Sequence, residues 1–208
     1  MTVDVIIPAL NEEQSIGLVV KAIPDLLVRK VYVCDNGSTD RTAEIARQAG
    51  AQLLYEPRKG YGSACQRALK EMQNHPPPDV VVFLDGDFSD VPGEMFYLVN
   101  KLEEEHLDFV LGSRVLGKAE KGSLTAVQRF GNALATSLIQ LFWAYRFTDL
   151  GPFRAIRYQK LLQLNMEDPD YGWTVEMQVK AAKQKMRCAE IPVSYRKRIG
   201  KSKVSGTI

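Results

Sequence analysis

The sequence predicts an α/β protein built on a single doubly wound, mostly parallel sheet flanked by helices, and three observations predict it. Short β-branched runs alternate with stretches of helical periodicity through the first half of the chain. Turn residues such as Asp35-Asn36-Gly37-Ser38 and Pro76-Pro77-Pro78 separate them. The run Val80-Val81-Val82-Phe83-Leu84 leads straight into Asp85-Gly86-Asp87, an acidic pair at the strand end where open α/β sheets bind ligands.

The elements follow in order. Val3–Ile7 reads as a buried strand ended by Pro8. Ile16, Val19, Val20 and Ile23 carry a helical stripe over residues 12–23, with Glu12 and Glu13 in the first turn, where the helix dipole favours acids. Val31–Cys34 is a second strand. Asp40 suits the cap of a helix running to Gln48, and Gly50 its C-terminal stop. Gln52–Tyr55 is a third strand and residues 63–73 a helix. After the strand at residues 80–84, Pro92 starts a helix reaching Glu105, and Phe109–Leu111 forms a fifth strand. The second half is less regular, with helices expected at 124–145 and 172–185 and a strand at 189–195.

Composition sets bounds. A chain of 208 residues, 45% hydrophobic and 25% charged, is long enough for one sizeable core. The expected organisation is one domain, 1–208, with functional halves at 1–115 and 116–208. Three cysteines, Cys34, Cys65 and Cys188, are widely spaced and odd in number, which favours reduced thiols in a cytoplasmic setting. No stretch approaches the roughly 20 apolar residues of a membrane span, and the first residues do not read as a signal peptide. The longest apolar run, residues 133–145, reads as a helix in a core or subunit interface, and Phe142, Trp143 and Phe147 as core. His75 and His106 read as surface residues without a role. Net charge is only +2, but residues 191–208 hold five basic side chains and no acid. Such a tail suits phosphate, nucleic acid or an anionic membrane surface.

Asp85 and Asp87 leave an extended chain on the same side, and Gly86 lets a ligand approach the backbone. Paired hard oxygens there suit Mg2+ or Mn2+ bound together with a diphosphate. Asp35, also at a strand end, can accept hydrogen bonds from a ligand or organise an Asx turn with Gly37 and Ser38.

The ordered set Pro8-Ala9-Leu10-Asn11-Glu12-Glu13, Asp35 to Asp40, Lys59-Gly60-Tyr61-Gly62 and Asp85-Gly86-Asp87 resembles the nucleotide-sugar half of family 2 glycosyltransferases, with their A-type fold. Gly112-Ser113-Arg114, Asp149 to Ala155 and Ile191 to Lys203 resemble the polyprenyl-phosphate (dolichyl-phosphate) mannose or glucose synthase branch. The resemblance implies a metal-dependent, inverting transfer of a hexose from UDP- or GDP-hexose to a polyprenyl phosphate at the membrane face, with no nucleic acid involved. It implies donor contacts from Pro8, Leu10, Glu12, Asp35, Lys59, Gly60, Asp85, Gly86, Asp87, Arg196 and Lys203. Metal ligands would be Asp85 and Asp87, with Ser89 where the branch often has Gln. Arg114, Arg129, Asn132, Asp149 and Arg198 fall on the acceptor side, Arg114 and Arg129 being the catalytic phosphate contacts. Glu176 matches a family acid, with a salt bridge as its other reading. A phosphate acceptor needs no dedicated base, its second pKa being about 6. A soluble sugar hydroxyl as acceptor, a nucleotidyltransferase and a non-catalytic nucleotide-binding module remain the alternatives.

Overall fold

The computed structural model describes residues 1–200. Seven strands form one sheet in the order β3-β2-β1-β4-β6-β5-β7. The first four are β1 (Val3–Ala9), β2 (Val28–Asp35), β3 (Gln52–Tyr55) and β4 (Val80–Phe83), all mutually parallel. β5 (Phe109–Ala119) and β7 (Cys188–Tyr195) pair parallel to each other. Between β4 and β5 runs β6 (Arg154–Arg157), antiparallel to both. The helices are α1 (Ile16–Lys21), α2 (Thr42–Gln48), α3 (Tyr61–Met72), α4 (Met95–Glu104), α5 (Ala126–Trp143), α6 (Tyr158–Leu164) and α7 (Trp173–Lys183), with a short 3-10 turn at Pro92–Glu94 before α4.

Alternate residues of the central strands feed two separate cores. Ile6, Tyr32, Val81 and Phe83 join α3 and α7 on one face. Val5, Ile7, Val33 and Val82 join α1 and α4 on the other. The strands are therefore apolar on both faces, as buried parallel strands require.

Several expectations are corrected. β1 does not end at Pro8 but continues to Ala9, where it pairs with Asp35. Pro8 lies two residues beyond Ile6, the last position paired with β4, so its missing N–H faces a side where the ladder has stopped. α1 begins only at Ile16, because the preceding turn is irregular: Asn11 has φ +52° and the Glu12 carbonyl accepts from both Ser15 and Ile16 N–H. β6 and α6 were not expected. Arg-Ala-Ile-Arg is too short and too charged to show a period, yet both its arginines turn inward to carbonyl oxygens. β5, expected over Phe109–Leu111, extends to Ala119. Phe147 is core, but Phe142 is 67% exposed and Trp143 37% exposed, against their expected burial.

Candidate active site

β4 is buried throughout and carries Leu84-Asp85-Gly86-Asp87 to the C-terminal edge of the sheet. There Pro8, Leu10, Glu12, Asp85, Gly86 and Asp87, six of the residues expected at the donor site, line one open cleft. Asn36, Tyr61, Tyr171 and Arg198 line it too.

The two acids of the pair differ in environment. Asp87 accepts from Ser89 N–H at 2.9 Å and Ser89 Oγ at 2.5 Å through Oδ1, while its Oδ2 lies 3.4 Å from Arg198 Nη1. Asp85 is half-buried, and its Oδ1 is enclosed without a hydrogen-bond partner. Burial and then the Asp87 charge push its pKa up to about 7, against the opposing pull of Tyr61, Arg114 and Arg198. Asp90, fully inside, has neither oxygen in hydrogen-bond geometry, and burial with the Asp85 and Asp87 charges drives its carboxyl well above the usual range.

Such crowding of hard oxygens, three of them without a hydrogen-bond partner, fits a divalent cation. Among the described residues no group of three or more His, Cys, Asp or Glu side chains forms a ready metal cage. Mg2+ is commonly held by one or two carboxylates completed by substrate phosphates and water, and Asp85 and Asp87 would supply those carboxylates. Ser89 is placed as the donor that orients Asp87, a support that fixes ligand direction.

The basic segment after β7 is laid over this acidic loop by its backbone. Arg196 N–H donates to Ser89 O at 2.8 Å and Ile199 N–H to Asp87 O at 2.9 Å. This puts Arg198, expected on the acceptor side, in the cleft, 3.0 Å from Glu12 Oε1 as well as beside Asp87. Arg196 instead stacks its guanidinium 4.8 Å from the Phe88 ring centroid, outside the cleft lining. Lys203 lies outside the described residues.

The Lys59-Gly60-Tyr61-Gly62 loop does not have the expected phosphate-facing form. A Cβ on Gly62 would come within 1.9 Å of Asp168 O, and one on Gly60 within 2.2 Å of Pro169 O. Gly62 and Ser63 N–H groups donate to Asp170 O and Pro169 O. The glycines thus admit another stretch of backbone, Tyr61 lines the cleft, and Lys59 is exposed outside the lining. Asp35 likewise takes its Asx-turn reading, accepting from Ser38 N–H at 3.2 Å. Its neighbour Asn36 reaches the cleft and ties Glu56 O, Arg58 O and Gly60 N–H together.

A second pocket, lined by Arg114, Arg129, Asn132, Arg146, Thr148 and Asp149 among others, gathers four of the five residues expected on the acceptor side. Their duties are unequal. Arg114 spends its fork on Asp149, with Nε–Oδ2 at 2.7 Å and Nη2–Oδ1 at 2.6 Å, so it is committed to protein rather than open to phosphate. Asn132 clamps the following turn through Thr148 O and Leu150 N–H. Asp149 orients Arg114, whereas the buried Arg154 is held by the carbonyls of Thr174, Leu150 and Gly151. Arg129 is exposed at the pocket rim. Arg146, which the sequence reading passed over, is its companion.

Glu176 takes its salt-bridge reading, 2.7 Å from Lys180, and also accepts from Glu167 and Asp168 N–H. His106 is exposed, and the His75 ring lies 3.4 Å from Glu71 Oε1. The three cysteines are free.

An α/β sheet with an acidic pair at its C-terminal edge and a basic loop across it defines a nucleotide-dependent transferase of the A-type glycosyltransferase architecture. Residues 4–164 match the family model described as glycosyl transferase family 2, and the chain belongs to that family. It is 36% identical over 209 residues to an uncharacterized glycosyltransferase of Mycobacterium tuberculosis, covering 99% of this chain and 91% of that protein. It is 31% identical over 203 residues to a dolichyl-phosphate hexose transferase of Haloferax volcanii, covering 96% of this chain and 85% of the other. Among solved structures, glucosyl-3-phosphoglycerate synthase of Mycobacterium tuberculosis with Mn2+, UDP and phosphoglyceric acid superposes with a TM-score of 0.72 at 25% identity, covering 97% of this chain and 71% of that one. The same synthase with Mg2+ and UDP gives a TM-score of 0.75 at 24% identity, with 97% and 72% covered.

Proposed function

We propose that this glycosyltransferase moves a hexose from a nucleoside diphosphate sugar to a polyprenyl phosphate, with inversion at the anomeric carbon and with Mg2+ or Mn2+ as cofactor. The observation that carries this reading is the adjacency of two unlike sites through one residue. Arg114 lines the cationic pocket of Arg129 and Arg146, and its charge acts on Asp85 in the neighbouring cleft.

Asp85 and Asp87 would hold the cation, which supplies charge neutralisation for the departing nucleoside diphosphate. Pro8, Leu10 and Glu12 form the lip for the nucleoside, and Asn36 and Tyr171 extend it. Arg198 adds a planar cation beside the diphosphate position. Arg129 and Arg146 would receive the acceptor phosphate, whose oxygen bonds to C1 of the sugar as the C1–diphosphate bond breaks. An ionised phosphate attacks without a general base, so positioning and electrostatics supply the catalysis. The likeness to a dolichyl-phosphate hexose transferase supports the acceptor class.

A small soluble acceptor carrying a phosphate is the second reading, favoured by the structurally similar synthase solved with phosphoglyceric acid. Labelled donor sugar offered with polyprenyl phosphate and with phosphoglycerate separates the two. Label passing into organic solvent supports the lipid acceptor. Label confined to water, in a phosphoglycerate product, overturns it.

A further inference from the structure

We infer that the outer face of α5 is a docking surface for an anionic lipid bilayer, an inference that rests on the lipid-phosphate reading of the neighbouring pocket. Along α5 the side chains Val127, Phe130, Leu134, Leu138, Leu141 and Phe142 recur at helical spacing and form one stripe. All six are exposed, Val127 by 77%, Phe130 by 70% and Leu141 by 74%. The opposite side of the helix, with Thr136 and Ile139, is the side buried in the protein. A water-facing helix surface is ordinarily charged, yet the only charged residue of α5 is Arg129. A contiguous apolar face of this extent marks an interaction surface.

Charge decides which partner it fits. Arg129 stands near the start of α5 and Arg146 just past its end, both on the pocket flank of the stripe. Lys118 and Lys121 are exposed on the approach to the helix. If two copies packed through antiparallel α5 helices, Arg129 of one would meet Arg146 of the other, like charges in a dry seam. Anionic headgroups satisfy the same cations while the stripe enters the acyl boundary. α5 itself lends Arg129, Asn132, Ala133 and Ser137 to the pocket, so a phosphate bound there keeps its hydrocarbon tail beside the stripe. No helix of the described residues is long and apolar enough to cross a membrane, so this helix would lie on the surface.

The test is flotation of the full chain with vesicles of phosphatidylcholine alone or mixed with phosphatidylglycerol. The expected result is binding to the mixed vesicles, about tenfold weaker binding to the neutral ones, and release by high salt. Phe130→Asp/Leu141→Asp should stay in solution while UDP or GDP with Mn2+ stabilises it as it does the wild type. Should that variant misfold, the salt titration of the wild type decides alone: salt-insensitive flotation, or none, overturns the surface. A wild-type dimer that the double substitution converts to monomer would make the stripe a self-interface and overturn it too. The acceptor reading can fail separately: vesicle binding with transfer only to a soluble phosphate leaves the surface standing.

Discussion

Arg198 Nη1 sits 3.4 Å from Asp87 Oδ2, joining the last described loop of the chain to the acidic loop that follows its fourth strand. The same guanidinium reaches Glu12 Oε1 at 3.0 Å, so three distant segments converge on one charge. Of the basic segment after β7, Arg198 forms part of the cleft wall.

Removing that charge should cost turnover more than stability. Arg198 is 30% exposed, and ion pairs with that much water contribute at most about 1 kcal/mol. A charge aimed at a developing oxyanion contributes about 10²–10³ in rate. Arg198→Ala is therefore expected to lower kcat by about 10²-fold, with thermal midpoint and acceptor KM little changed. Steady-state kinetics with each substrate varied check this; a defect confined to acceptor KM would contradict the cleft assignment.

Asp85 gives the pH dependence. Its carboxyl is raised from 3.8 to about 7 by burial and by Asp87, so the metal-free fold binds a proton that the unfolded chain has already released. This contribution to stability is present in full below the unfolded value and is lost as pH rises toward 7. Asp85→Asn should accordingly raise the melting temperature of the metal-free protein at pH 8, on the order of 4 °C, while abolishing transfer. In the wild type, Mn2+ affinity should climb about tenfold per pH unit below 7 and level off above it, because the ion competes with one proton. Calorimetric titration at several pH values reads both limbs, and a flat profile would refute the assignment.

Gly62 tests the corrected reading of its loop. With a Cβ at 1.9 Å from Asp168 O, Gly62→Ala must push the 168–170 backbone off the start of α3. The expected loss is about 2 kcal/mol by chemical unfolding, as for other overpacked sites. A phosphate-cradling loop would lose nucleotide affinity and keep its stability.

The sequence made the parallel half legible because apolar runs and turn residues alternate there without interruption. β6 escaped because an antiparallel strand of four residues with an arginine at each end carries no period. The acid pair was read from the strand end that carries it together with the ordered motifs around it, from Pro8 to Gly62, and not from Asp85-Gly86-Asp87 by itself. Asn36 was hidden behind Asp35, whose side chain matches the same turn chemistry. The Lys59–Gly62 glycines misled for a physical reason: close approach of backbone and close approach of a phosphate ask for the same missing Cβ. Arg114 misled because its partner Asp149 lies 35 residues away, a pairing only the fold supplies.

The most direct measurement is the anomalous signal of crystals grown with Mn2+ and UDP or GDP. A single manganese peak bounded by the Asp85 and Asp87 carboxylates, with the diphosphate on its open side and Arg198 alongside, is the predicted result. Manganese bound away from both acids, with the nucleotide still in the cleft, would contradict it.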